Sequence, residues 1–157
     1  MDSSAAMTTD KQTTLDLKQF LPYSLTNIAM QMSEQFSELY QQQFDLTVPQ
    51  WRIIANLAQY GERTAKELCD MAQMDKSTVS RAVKSLLTRN LIIAKENPKD
   101  KRASLLSLSV EGNRLHEQIV PLANEWQAGL VSDLDSQELK QFMNTLSKLS
   151  NNLNKNV

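Results

Sequence analysis

Cysteine occurs once in the 157 residues, at Cys69, so no internal disulfide can form and no thiolate cluster can hold a metal. Histidine also occurs once, at His116, with no second His or Cys at ligand spacing and no nucleophile motif beside it, which removes the usual zinc sites and His-assisted catalysis. The three glycines form no Gly-rich phosphate loop. No apolar run approaches the roughly 18 residues that a bilayer span requires, and no succession of basic, apolar and small residues marks a signal peptide. These absences predict a cytoplasmic protein that is not an enzyme, carries neither cofactor nor metal, and has no membrane partner. His116 is expected to take a surface or helix-packing role. Cys69 is expected to be a small buried hydrophobe on an apolar helix face.

Charged residues make up 22% and hydrophobic ones 41%, a balance that suits one ordinary domain or one subunit of an intertwined dimer. The formal net charge is only −1, but it is segregated. Residues 61–104 hold ten cations against six anions, leaving seven cations against twelve anions elsewhere. Such a basic stretch within an acidic chain is the electrostatic footprint of a face that meets nucleic acid.

That same stretch carries the clearest local signals. Thr64 and Glu67 have the spacing of a capping box that starts a helix, and Ala65, Leu68, Cys69 and Ala72 give that helix a narrow face of mostly small side chains. After a turn at Gln73 and Met74, Asp75 can cap a second helix reaching about residue 89. Its inward stripe is Val79, Ala82, Val83, Leu86 and Leu87. Its outer face, Lys76, Ser77, Thr78, Ser80, Arg81 and Lys84, holds hydroxyls and cations but no carboxylate. Ser and Thr can bond phosphates or base edges, Arg can bind guanine in a bidentate way, and Lys neutralises phosphate, so the face suits a major groove. Asn90 tolerates the left-handed stop of a helix. Residues 91–96 and 103–109 flank the polar turn at 97–102, which predicts a two-stranded hairpin. Its tip carries Lys99, Lys101 and Arg102, with Asp100 placed to bond Arg102 and fix where the guanidinium points.

This segment resembles the winged helix-turn-helix of MarR-type transcriptional regulators. The resemblance rests on the run Asp75, Lys76, Ser77, Thr78, Val79, Ser80, Arg81, on the helix end between Leu86 and Leu91, on Asp100, Lys101 and Arg102 in the wing, and on Leu108, Ser109, Val110, Glu111 and Gly112 beyond it. It implies that Asp100 orders the wing and that Arg102 enters the minor groove. Gln73 and Asn90 stand where that family usually has Gly. The resemblance also implies a homodimer on palindromic operator DNA, and a small aromatic or phenolic anion acting as effector from a cleft between dimer helices and reading domain. The ligand-binding residues are left unassigned.

The rest of the chain supplies helices. Residues 1–14 read as a flexible tail. From residue 21 to about 44, Leu21, Leu25, Ile28, Met32, Phe36 and Leu39 recur at helical spacing. Thr47 can cap a following helix with Pro49 in its first turn and Trp51, Ile54, Ala55 and Ala58 on its apolar face. Ser109 can cap a long helix bearing Leu115, Ile119, Leu122, Trp126 and Leu130, with a kink expected near Pro121. Asp135 and Glu138 repeat the capping-box spacing before Leu139, Phe142, Met143, Leu146, Leu149 and Leu153. The end helices offer more apolar stripe than one small subunit readily covers, which predicts a homodimer. The expected architecture is mainly α with a small β-hairpin wing. An N-terminal dimerisation region (15–46) precedes a winged helix-turn-helix DNA-binding domain (47–110) and C-terminal dimerisation helices (111–157). The expected function is a sequence-specific regulator, in the form of a ligand-responsive repressor. The alternative is a winged-helix protein–protein interaction module that does not bind DNA.

Overall fold

A computed structural model describes residues 15–155, so the N-terminal tail lies outside the described residues. The order is α1 (Leu21–Phe44), α2 (Val48–Tyr60), β1 (Arg63–Thr64), α3 (Ala65–Ala72), α4 (Lys76–Thr88), β2 (Ile92–Glu96), β3 (Ser104–Leu108), α5 (Val110–Leu130) and α6 (Ser136–Lys155). Contacts divide the chain into two compact units at residue 36, a position inside α1. No described helix is long and apolar enough to cross a membrane.

In the first unit Leu21, Tyr23, Ile28 and Met30 are all exposed, and Leu25 and Met32 are half-buried. The second unit has the core. Tyr40 and Leu46, Ile53, Ile54 and Leu57 of α2, Leu68 of α3, Val79 and Leu86 of α4, Ile92, Leu106 and Ile119 each keep no more than 3% of their surface. Burying side chains of this size contributes about 1.5–3 kcal/mol apiece before the entropy of ordering them is subtracted. The stripe expected on α2 was incomplete. Ile53 and Leu57 are buried beside Ile54, whereas Trp51, Ala55 and Ala58 are half-buried.

Local signals set most of the helix starts. Thr47, Thr64, Asp75 and Ser109 are N-caps whose side chains accept from the backbone N–H three residues on. Asp135 accepts the N–H of Glu138 at 2.8 Å, and Glu138 accepts that of Asp135. Gln73 and Asn90 both adopt left-handed backbone, φ 51° and 53°. Gln73 therefore takes the glycine-like conformation itself, and its amide donates to the Asp70 carbonyl at 2.7 Å. The helix α5 runs through Pro121 as one element.

The expected two-stranded hairpin is present, and a third strand joins its edge. β2 pairs antiparallel with β3, Ile92 opposite Leu108 and Glu96 opposite Ser104, and the extra strand β1 pairs with the other edge of β3, Arg63 opposite Leu106. Two residues have no alternation to read, so only the finished sheet reveals β1. At the base of the wing a Cβ on Gly112 would lie 1.9 Å from the Leu91 carbonyl oxygen. The Ser109 N–H bonds that same carbonyl at 3.1 Å, and its hydroxyl donates to the Asn90 carbonyl at 2.6 Å. The end of α4 and the start of α5 are thus joined through backbone that only glycine permits to approach so closely.

Candidate nucleic-acid interface

The site is built on α4. Asp75 accepts the N–H of Thr78 at 2.9 Å and its hydroxyl proton at 2.6 Å, and these bonds hold the Asp75 carboxyl below its ordinary pKa. Thr78 is therefore half-buried and its hydroxyl donor is spent locally, which leaves only acceptor capacity for a ligand. Lys76, Ser77, Ser80, Arg81 and Lys84 are exposed. Lys76, Ser80 and Lys84 line a groove between α3 and α4, whereas Thr78 and Arg81 lie on the other flank beside Thr47, Pro49 and Gln50. The helix thus presents a ridge with two differently built sides.

Three connections that sequence reasoning missed hold this ridge. Gln50 completes a capping box with Thr47, its Oε1 accepting the Thr47 N–H at 2.9 Å, and its amide nitrogen donates to Ser85 Oγ at 2.8 Å. Gln50 is 7% exposed, so one polar side chain ties α2 to α4 within the core. Arg89 donates to the carbonyls of Asp45 at 2.6 Å and Phe44 at 2.9 Å, capping the C-terminal end of α1 with a cation where the helix dipole favours one. Arg52 donates to the Ala72 carbonyl at 3.4 Å. The Thr47–Gln50 spacing was open to recognition, since it is that of Thr64 and Glu67. The partners of Arg89 and Arg52 lie 44 or 45 and 20 residues away and left no local sign.

In the wing, Asp100 Oδ1 accepts from the Arg102 backbone N–H at 3.0 Å and from its Nε at 3.2 Å, while 93% of the Arg102 side chain stays exposed. The carboxylate fixes the root of the guanidinium and leaves its two terminal nitrogens facing solvent. Lys99 is exposed, and Lys101 lies 3.9 Å from Glu96. Asn97 is buried and accepts the Lys99 N–H at 3.0 Å, which shapes the turn. Lys95 of β2 forms an ion pair with Glu62 beside β1.

Behind the ridge, Tyr40 stacks on Trp51 with ring centroids 5.6 Å apart, and Trp51 stacks on His116 at 6.0 Å. Burial pushes the Tyr40 hydroxyl up to about 12 and pulls the His116 imidazole below its ordinary value. His116 is therefore a helix-packing group. Cys69 is half-buried against the core. Among the described residues no group of three or more His, Cys, Asp or Glu is arranged to hold a metal ion.

A capped helix pair, a cation-bearing ridge and an Asp-ordered wing define a winged helix-turn-helix. A model of the MarR family matches residues 44–103. The HTH-type transcriptional regulator BilQ of Clostridium symbiosum is 32% identical over 84 residues, which cover 54% of this chain and 58% of BilQ, little more than half of that relative's length. The crystal structure of a MarR family transcriptional regulator from Silicibacter pomeroyi is 30% identical, with a TM-score of 0.76 over 85% of this chain and 89% of that one. A mutant MarR from E. coli complexed with operator DNA shares the fold at 20% identity, with a TM-score of 0.74 over 87% of this chain and 98% of that one. The chain belongs to the MarR family of transcriptional regulators.

Proposed function

We propose that this regulator is a ligand-responsive repressor that binds palindromic operators as a homodimer in the cytoplasm. The observation that carries the reading is the pairing of an α4 face without carboxylates with an Arg102 side chain that Asp100 orders and solvent surrounds. In this reading α4 lies in the major groove with Arg81 on base edges, Lys76, Ser77, Ser80 and Lys84 on phosphates, and Thr78 as an acceptor. Arg102 reaches the minor groove, and Lys99 and Lys101 sit against the adjoining backbone.

Exposed apolar residues on α6 (Phe142, Met143 and Leu153) and near the start of α1 (Leu21, Tyr23 and Ile28) support the dimer, because isolated protomers rarely leave so much uncovered. Two copies related by a two-fold axis then match half-sites roughly 10 bp apart. The E. coli relative bound to operator DNA and Bordetella bronchiseptica BpsR, whose DNA binding is regulated by 6-hydroxynicotinic acid, support operator binding and a small aromatic anion as effector. Such an effector acts only through a difference in affinity for the two arrangements of the dimer.

The test is a gel shift on the operator, located by genomic footprinting. Arg102→Ala should weaken binding across sequences, and Arg81→Ala should weaken it by about 1–3 kcal/mol with relaxed base preference. Wild-type binding by both variants would remove the assigned face.

A further inference from the structure

The groove between α3 and α4 encloses about 750 Å³. That is the size of a small-molecule site. Its floor is Cys69, Val79, Val83 and Leu87, and its rim is Lys66, Lys76 and Lys84. No carboxylate lines it. These three lysines also take part in none of the ion pairs formed among the described residues, whereas Lys95, Lys101, Arg102 and Arg114 each have an acidic partner. The rim therefore holds uncompensated positive charge around an apolar trough, and the complement is an anion with an apolar body.

The floor also discriminates by shape. Val79, Val83 and Leu87 succeed one another at one turn each, so the methyl-lined strip runs roughly 12 Å along α4 at 1.5 Å per residue. No aromatic side chain lines the groove. A planar ring finds no face to stack on, while an extended alkyl chain of about ten carbons matches the strip and leaves its head group at the lysines. We propose that this groove binds a medium-chain aliphatic monocarboxylate, and that the bound anion competes directly with DNA because Lys76, Ser80 and Lys84 serve both. The competition rests on the DNA reading of α4, whereas the binding does not. It would coexist with control through dimer geometry, since it blocks the ridge itself.

Cys69 is the sole cysteine of the chain and lines the groove, so its alkylation rate reports occupancy in the intact protein without DNA. Decanoate, kept below its micelle-forming concentration, is the probe. At about ten times its dissociation constant it should slow alkylation of Cys69 by about tenfold, since only the unoccupied fraction reacts. The neutral 1-decanol should leave the rate nearly unchanged. The double variant Lys66→Gln, Lys76→Gln, checked for an unaltered circular dichroism spectrum, should need about fivefold more decanoate, as expected for two exposed ion pairs. Decanoate should also release operator from the wild type in the gel shift. Absence of protection, or equal protection by 1-decanol, overturns the site whatever the DNA does. Better protection by 2-naphthoate than by decanoate overturns the alkyl assignment. Protection without release overturns the competition and locates the fault in the DNA reading of α4.

Discussion

The helices α4 and α6 are both amphipathic, both capped by aspartate, and treated in opposite ways by the fold. In its 13 residues α4 buries Val79, Ala82 and Leu86, while the 20 residues of α6 bury none. Phe142 and Met143 of α6 keep 47% and 55% of their surface, and Leu153 keeps 71%. An apolar stripe states only that a helix needs a partner. For α4 the partner is α2, α3 and the sheet of the same protomer. For α6 the described residues leave Leu139, Leu146 and Leu149 half-buried and Phe142, Met143 and Leu153 exposed, which is why the dimer is proposed there.

The comparison can be broken most severely at the packed end. Gly112→Ala should cost about 3 kcal/mol, because its Cβ would meet the Leu91 carbonyl at 1.9 Å and backbone must move. Thermal denaturation should show the loss, and an unchanged melting temperature would mean that the junction of α4 and α5 is loose. At the open end, Phe142→Glu with Met143→Glu should cost about 2 kcal/mol of self-association while leaving the helix content of the protomer unchanged. Sedimentation would then show a monomer at concentrations where the wild type is dimeric. A folded wild type that is already monomeric would remove the proposed role of α6.

The caps sharpen the contrast at smaller scale. Thr64→Ala should cost about 1 kcal/mol in cooperative unfolding, since α3 is locked into the core. Asp135→Ala removes the equivalent bond from α6 and should appear chiefly as faster hydrogen exchange in its first turn, with little change in the global transition. The smallest effect concerns acid. Burial against Trp51 holds the His116 imidazole below its ordinary value of 6.5, so the unfolded chain binds the proton more readily than the folded one. Stability contributed above pH 6.5 is therefore lost as pH falls from there toward the lower folded value. His116→Phe should flatten that stretch of the stability profile, as followed by denaturant melts at a series of pH values. Glu67 and Asp75, whose carboxyls are held low mainly by bonds from Thr64 and Thr78, should lose their contribution only in more acidic solution.

Much of this molecule was legible before any coordinates, and the readable part has a common physical origin. The boxes at Thr64 with Glu67 and at Asp135 with Glu138, the Asp75 and Ser109 caps, the left-handed Asn90 and the bond from Arg102 to Asp100 join groups a few residues apart. Their chemistry is complete within a short window of chain. Helical spacing likewise revealed that stripes exist along α1, α5 and α6. It could not reveal which were covered, since Ser37 and Tyr40 are buried in α1 although the apolar spacing pointed to their neighbours.

What the tertiary structure alone decided joins residues distant along the chain. The strand β1 exists because β3 offers a free edge to Arg63 and Thr64. Gln50 reaches Ser85, and Arg89 reaches the end of α1, across 35 and 44 residues. The lysine-rimmed groove needs α3 and α4 set side by side before Lys66 and Lys84 face one volume. Local hydrogen bonds and periodicity are properties of a segment, whereas burial, strand edges and cavities are properties of the surfaces that segments present to one another.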